Sequence, residues 1–332
     1  MPLKTYGVLS GAIVDVRREG NTDTPHYQIE VLDAAGVHYR IAVNVESQQS
    51  PSELKYCVLE DFEHPVTDAL PTDSGWTPLL PGPGHANLDY IRANLFDPAT
   101  MRLLPPDVTG PDNDLADLLD HYVLRARRDP DARLYAFGER WGPEEGTADK
   151  VFGFQPGNGV HDIHMNQGND GSFQRDDGVW QDGGLLLHFA AESRWVAIFL
   201  AFQSQSWHTD DLTGHPIDGA PDQRVRAPMR VVGALVNPAG PAPEAEQVTL
   251  LNASPAAIDL TGWLLADKAK RTCALPATLL AAGATVAVPL TDGVQLGNNG
   301  GAITLLDPRG LKVDGVSYTG DQARDEGWTL VF

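Results

Sequence analysis

The stretch that decides the fold of the central part of the chain is GGLLLHFAAESRWVAIFLAFQSQSW, residues 183–207. Two mostly apolar runs are predicted strands: GVWQDGGLLLHFA (178–190), which begins just before this stretch, and RWVAIFLAFQSQSW (194–207). Each run is long enough to cross a sheet, and nearly continuous apolar sequence is typical of strands covered on both faces. The stretch therefore predicts two buried strands with Arg194 in the turn between them.

Upstream of this stretch, the sequence predicts one helix and further strands. A set of apolar residues recurs at the spacing of one helix face: Leu115, Leu118, Leu119, Tyr122 and Val123. Asp112 or Asn113 is expected to cap the N-terminus of this helix. RLYAFGERW (133–141) and DKVFGFQP (149–156) are expected to be strands. Residues 66–217 are therefore predicted to form an α+β domain.

Residues 1–65 contain three short runs rich in β-branched and aromatic residues: YGVLSGAIVDV, HYQIEVLDA and VHYRIAVNVES. Gly, Asn and Asp residues that favour turns separate these runs. Tyr27 and Ile29 alternate with Gln28 and Glu30, so one face of that strand is expected to be buried. The segment is predicted to form a small β-barrel-like subdomain of about five strands.

The C-terminal part of the chain has a different pattern. DGAPDQRVRAP (218–228) is polar and contains Pro, and we interpret it as a linker. From Met229 onward, short strands recur between Asn, Asp and Gly turns, which is typical of a β-sandwich. This part resembles the lamin-tail domain in VNP (236–238), EQVTLLN (246–252), DLTGW (259–263), GG (300–301), LD (306–307) and VDGVSY (313–318). The resemblance implies an immunoglobulin-like β-sandwich over residues 229–332, an accessory module to which a protein partner is expected to bind.

The charge of the chain limits its partners. The formal net charge is −21 at pH 7, from 24 Lys and Arg against 45 Asp and Glu. A field of this sign repels phosphate backbones, so extended nucleic-acid binding is disfavoured. No apolar run is long enough for a transmembrane segment, and the first residues lack the layout of a signal peptide. A cytoplasmic location is therefore expected.

Residues 1–216 resemble the uncharacterised YukJ-like family. The resemblance rests on YGV (6–8), NV (44–45), PSEL (51–54), AFGERW (136–141), GVHDIHMNQGN (159–169) and FQSQSWHTDD (202–211). This family has no known function, so the resemblance implies no mechanism. The strand patterns and the two resemblances together predict a mainly β fold with some α: a barrel-like region, a central α+β domain and a C-terminal immunoglobulin-like sandwich.

The segment GVHDIHMNQGN concentrates side chains that bind metal ions or transfer protons. If HDIHMNQ is extended, Asp162, His164 and Asn166 lie on one face, with about 6.6–6.8 Å between successive Cα atoms. Asp162 and His164 then have the spacing of two ligands of one divalent ion, Zn²⁺, Mn²⁺ or Mg²⁺. His161 lies on the other face and is expected to transfer protons. Residues 139–182 contain nine acids and three bases, which favours a bound cation.

A second polar cluster, QSQSWHTDD (203–211), follows the long apolar strand and is expected to complete the site. The catalytic candidates are His161, His208 and Glu139, and the metal-ligand candidates are Asp162, His164 and Asp210. The substrate-binding candidates are Asn166, Gln167, Asn169, Gln203, Gln205 and Trp207. The alternative interpretation is that these His, Asn and Gln side chains only satisfy the backbone of turns.

Other catalytic patterns are missing from the sequence. There is no G-x-S-x-G, P-loop or dinucleotide-binding pattern, and position 163 is Ile where the phospholipase-D-like pattern requires Lys. Cys57 and Cys273 fit no metal or redox spacing and are expected to be buried thiols. The leading hypothesis is therefore a metal-dependent hydrolase acting on a phosphoester or similar charged small substrate. The alternative is a non-catalytic ligand-binding or adaptor protein that assembles through its lamin-tail-like domain.

Overall fold

The computed structural model describes residues 6–19, 25–46, 52, 54–78, 100–104, 113–161, 183–203, 227–240 and 245–332. Strands dominate these residues, and they divide into two compact units. The first unit contains the described residues between 6 and 202, and the second contains Gln203 and the described residues from 227 to 332. The prediction of a mainly β fold with some α is confirmed.

The described residues of the first unit form one sheet of ten strands. Its strands are β1 (Tyr6–Arg18), β2 (His26–Leu32), β3 (His38–Asn44), β4 (Leu54–Leu59), β5 (Gly75–Pro78), β6 (Arg102–Leu103), β7 (Arg133–Glu144), β8 (Gly157–His161), β9 (Gly183–Phe189) and β10 (Arg194–Phe202). The described helices of this unit are α1 (Leu115–Arg128) and two short 3₁₀ helices, Pro65–Ala69 and Ala190–Glu192.

Five strands of this sheet close into a barrel. Their order is β1-β2-β3-β8-β7, and β7 pairs back onto β1. β3 and β8 are parallel, whereas the other barrel pairs are antiparallel. Three consecutive strands and a fourth that returns beside the first make a Greek key. Closed by β8, the barrel has the five-stranded Greek-key architecture of the OB-fold, which by itself assigns no function.

The remaining strands extend the sheet away from the barrel. β9 pairs with the N-terminal half of β7, and β10, β4 and β6 follow in that order. β9 and β10 are the two buried strands predicted from the stretch 183–207, and Arg194 is the first residue of β10. β4 comes from the first 65 residues and pairs with β10, so the boundary that we predicted at residue 65 falls inside one compact unit.

The barrel wall is buried on both sides. Tyr27 and Ile29 of β2 lie in the hydrophobic core, as their alternation predicts. Gln28 and Glu30 on the opposite face are also buried, which the alternation alone does not predict. Gln28 avoids the cost of burial because its amide donates to Glu19 and accepts from the Arg40 guanidinium.

Helix α1 packs its apolar face on the same core. Leu115, Leu119 and Val123 are fully buried there, and basic residues occupy its last turn. The N-cap is Asp114, whose carboxylate accepts from the Asp117 N–H at 3.0 Å. The predicted caps Asp112 and Asn113 are therefore wrong by one or two positions, because the backbone leaves the helical conformation only at Asp114.

The predicted strand at 149–156 is wrong. Residues 145–156 form the connection between β7 and β8, and Asp149 organises it by accepting the N–H groups of Val151 and Phe152. A carboxylate that takes two nearby backbone N–H groups favours a turn over a strand. The strand β8 begins only at Gly157, so that the start of the polar motif lies in the barrel wall.

The second unit is the predicted sandwich. Its strands are β11 (Met229–Leu235), β12 (Gln247–Asn252), β13 (Ile258–Asp259), β14 (Leu264–Ala266), β15 (Thr272–Ala274), β16 (Leu279–Leu280), β17 (Thr285–Pro289), β18 (Gly300–Leu306), β19 (Lys312–Thr319) and β20 (Thr329–Val331). Two four-stranded sheets, β17-β12-β11-β20 and β15-β14-β18-β19, share one core that includes Trp263. Buried Asn252 ends β12 and donates to the carbonyls of Ala256, Leu280 and Ala281.

Candidate functional site

Two of the predicted catalytic residues lie directly opposite each other in the barrel wall. Glu139 of β7 pairs with His161, the last residue of β8. On its other side, Glu139 pairs with Tyr6 of β1. Directly opposed residues project from the same face of a sheet, with Cβ atoms about 4.5–5.5 Å apart. Backbone pairing therefore places these two residues directly opposite each other on one face of the sheet, and we call them the Glu139–His161 pair.

Segment 162–182 is joined to the sheet at both of its ends beside this pair. β8 and β9 both run antiparallel to β7 along the edge that β1 does not occupy. His161 at the end of β8 lies opposite Glu139, and Gly184 in β9 lies opposite Phe137. Two residues along a strand span about 6.6–6.8 Å, so residues 161 and 184 are anchored at neighbouring positions of β7.

Five predicted residues fall between these anchors: Asp162, His164, Asn166, Gln167 and Asn169. They lie outside the described residues, and so do Gln205, Trp207, His208 and Asp210. Their roles as metal ligands, proton-transfer groups or substrate-binding residues stay predictions. The described residues show where both ends of segment 162–182 join the sheet.

An aromatic ring and a buried guanidinium adjoin the Glu139–His161 pair. The Trp141 ring centroid lies 6.1 Å from that of His161. The Arg40 guanidinium is 4.8 Å from the Trp141 ring centroid, within the range of a cation–π contact. Both side chains are half-buried, and Glu139 Oε2 and His161 Nδ1 are shielded from solvent. A carboxylate and an imidazole are the components of an acid–base pair.

Arg40 is fixed by a buried ion pair. Its Nε lies 2.7 Å from Asp149 Oδ2, and the two side chains are 5% and 0% exposed, respectively. Its Nη1 donates to Gln28 at 2.9 Å. The ion pair joins β3 to the β7–β8 connection, so it holds the end of the barrel that carries Trp141. Asp149 is one of the nine acids of segment 139–182 that favoured a bound cation in the sequence. Its charge is neutralised by the Arg40 side chain.

Two glycines allow β8 to approach its neighbours closely. A Cβ atom on Gly138 would stand 2.0 Å from the carbonyl oxygen of His161. A Cβ atom on Gly159 would stand 1.9 Å from the carbonyl oxygen of Arg40. Neither backbone atom can move without shifting a whole strand. The position of His161 against Glu139 therefore depends on glycine at both positions.

Replacing Gly138 by alanine is expected to reduce the free energy of unfolding by about 1–3 kcal/mol, because β8 must move away from β7. Urea unfolding of the full chain measures this change. Gly297→Ala is the matched control, since a Cβ there would meet only the Gly300 carbonyl oxygen, at 3.4 Å. Equal unfolding free energies for the two variants would show that β7 and β8 are not in tight contact at this point.

Gln203, a predicted substrate-binding residue, belongs to the second unit, where its amide donates to the Gly310 carbonyl and its side-chain oxygen accepts from the Lys312 N–H. The residue is buried and ties the start of the second unit to the turn between β18 and β19. Backbone groups engage both ends of its amide, and its role in substrate binding stays a prediction.

Arg40, Trp141 and Gln28 were missed by sequence reasoning. The sequence contains a feature from which Arg40 could have been identified. It is the charged residue in the otherwise apolar run YRIAV of β3. Charged residues are seldom fully buried unless they are paired, so a guanidinium in such a run calls for a partner. Its partner Asp149 is 109 residues away in the sequence, and no local pattern identifies it.

The described residues hold no group of three or more His, Cys, Asp and Glu side chains arranged to bind a metal ion. Among the described residues, Glu139 and His161 contribute a carboxylate and an imidazole, which are both metal-binding groups.

Cys57 and Cys273 are buried free thiols, as predicted. Burial raises the pKa of the Cys57 thiol to about 12, so it is not a thiolate at neutral pH. None of the helices in the described ranges is long and apolar enough to cross a bilayer.

Comparisons with known proteins agree with this architecture. Residues 1–214 match the family model described as "Uncharacterized conserved protein (DUF2278)", and residues 225–320 match the lamin tail domain. The chain is 44% identical over 220 residues to the uncharacterized protein YukJ of Bacillus subtilis (strain 168). The match covers 65% of this chain and 96% of that protein. The chain therefore belongs to the family of uncharacterized conserved proteins (DUF2278), to which it adds a lamin tail domain.

Proposed function

We propose that this protein is a metal-dependent hydrolase of a small charged substrate such as a phosphoester, with the Glu139–His161 pair in its active site. The observation that supports the proposal is the pairing of Glu139 with His161 at the place where segment 162–182 is attached to the sheet. A segment whose two ends are held at neighbouring positions of one strand is a common location for binding and catalytic residues.

His161 is the proton-transfer group in this proposal. An imidazole changes its charge near neutral pH and can accept a proton from water or give one to a leaving group. Glu139 orients the ring and stabilises its protonated form, as a carboxylate does beside a catalytic histidine. His208 is the second candidate for proton transfer.

A divalent cation is the second component. Asp162, His164 and Asp210 are its proposed ligands, and Asn166, Gln167 and Asn169 are proposed to orient the substrate. Such an ion lowers the pKa of bound water and offsets negative charge on the substrate. The second effect matters here because the chain has a net charge of −21, which repels an anionic substrate unless a cation intervenes.

The proposal is tested with p-nitrophenyl phosphate and bis(p-nitrophenyl) phosphate, each with Zn²⁺, Mn²⁺ or Mg²⁺. We expect hydrolysis of at least one substrate that stops on addition of EDTA and returns with the metal. No turnover in any combination, by protein that is folded by circular dichroism, would contradict a phosphoester hydrolase.

The second candidate function, an adaptor, is favoured by a different observation. Trp328 is 73% exposed and precedes β20, and Val331 is 83% exposed and ends it; β20 is an edge strand among the described strands of its sheet. Large apolar side chains beside an unprotected edge strand are typical of surfaces that pair with another chain. Self-association through β20 would make the second unit an assembly module.

Replacing Trp328 by serine is expected to weaken this association by about tenfold or more, since exposed Trp residues contribute strongly to interfaces. Sedimentation velocity over a range of concentrations measures it. The adaptor hypothesis requires association in the wild type that Trp328→Ser reduces, and monomers at every concentration would contradict assembly through β20.

A further inference from the structure

A cavity of about 700 Å³ lies in the first unit, away from the Glu139–His161 pair. The segment after β4, residues 61–68, forms one wall, and the β9–β10 hairpin at residues 192–195 forms the other. That hairpin is at the opposite end of β9 and β10 from Gly183, where the chain returns from segment 162–182. The cavity is therefore separate from the site proposed above, and its volume is within the range of small-ligand sites.

Aromatic rings line this cavity. Phe62 is buried and packs edge-on against Phe199, with ring centroids 5.7 Å apart. The His64 ring stacks on Phe62 at 6.0 Å and an interplanar angle of 15°. The Trp195 ring is stacked against His188 at 4.2 Å, which fixes its plane. The aromatic wall is thus held by packing and needs no ligand to form.

Four carboxylates and one guanidinium surround the aromatic wall: Asp61, Glu63, Asp68, Glu192 and Arg194. The Arg194 Nε lies 2.7 Å from Asp61, and Glu192 accepts from Arg125. Glu63 and Asp68 form no ion pair with any residue that the structure describes, and both are exposed. Two negative charges therefore remain for a ligand, one on each side of His64 in the sequence.

We propose that this cavity binds an organic ammonium group. Aromatic faces attract a cation through the ring quadrupole, and carboxylates at the rim add charge-assisted hydrogen bonds to its N–H groups. The ammonium group lies against Phe62, His64 and Trp195 and is bound by Glu63 and Asp68. Anions are excluded because the lining residues carry four negative charges against one positive charge.

The test is isothermal titration calorimetry of the full chain with two probes. Spermidine represents a free polyamine, and the peptide acetyl-Gly-Lys-Gly-amide represents the lysine side chain of a protein. The double variant Glu63→Gln, Asp68→Asn removes both charges without touching the aromatic wall. Asp325→Asn, Glu326→Gln is the matched control, because it removes the same charge from exposed positions of the second unit.

We expect saturable binding of at least one probe, weakened about tenfold or more in the Glu63, Asp68 variant and unchanged in the control. Tighter binding of spermidine identifies a free amine as the ligand, and tighter binding of the peptide identifies a lysine side chain. No heat of binding with either probe would overturn the proposal. Equal weakening in both double variants would also overturn it, because the effect would then come from net charge alone.

Discussion

Replacing His161 by asparagine is expected to lower the rate of phosphoester hydrolysis by about 100- to 10,000-fold, because the proposed proton-transfer group is lost. Asparagine is smaller than histidine and uncharged, and the backbone of β8 can still pair with β7. Steady-state kinetics on the best substrate measure the effect. The loss should appear in kcat with little change in KM, since proton transfer acts in the transition state.

Two further variants make this prediction specific. His121→Asn changes an exposed histidine on α1 and is expected to leave the rate unchanged. Glu139→Gln keeps the shape of the carboxylate and removes its charge, so it should lower kcat. Full activity in His161→Asn, or an equal loss in His121→Asn, would contradict the proposed role of His161.

Replacing Arg40 by methionine is expected to reduce the free energy of unfolding by about 3–5 kcal/mol. The substitution leaves the Asp149 carboxylate, which is 0% exposed, without its cation. An uncompensated buried charge is far more costly than the loss of an exposed ion pair. Urea or guanidinium unfolding, followed by circular dichroism, measures the change.

A double variant and a surface pair serve as controls for Arg40→Met. In Arg40→Met with Asp149→Asn, the buried charge is gone, while the new side-chain amide oxygen can still accept the N–H groups of Val151 and Phe152. The double variant should therefore recover part of the loss. Arg309→Met breaks a comparable pair with Asp307 in which the arginine is 76% exposed, and should cost at most about 1 kcal/mol. Equal costs for the Arg40 and Arg309 variants would contradict the role of the buried pair.

Local patterns predicted the elements that depend on nearby residues. The apolar face predicted helix α1, and the two apolar runs predicted strands β9 and β10. These predictions succeed because each pattern lies within one segment of the chain. The N-cap was missed because several polar residues precede the helix, and side-chain geometry selects Asp114. The strand predicted at 149–156 is wrong because the Asp149 carboxylate accepts two nearby backbone N–H groups, which favours a turn.

The closure of the barrel and the Glu139–His161 pair could not be predicted in the same way. β1 and β7 are far apart in the sequence, and their pairing depends on contacts across the whole barrel. Glu139 and His161 were each candidates, yet their opposition depends on the register of β7 and β8 across residues 145–156. The backbone partners of Gln203 lie more than 100 residues away in the sequence, so no local pattern predicts them.

The metal content of the protein tests the central claim most directly. The full chain is purified without added ions, exposed to Zn²⁺, Mn²⁺ or Mg²⁺, dialysed, and measured by inductively coupled plasma mass spectrometry. The account predicts stoichiometric binding of one of these ions, lost in Asp162→Ala and in His164→Ala variants that remain folded, and retained in His121→Ala. Folded wild-type protein that retains none of these ions would contradict a metal-dependent hydrolase.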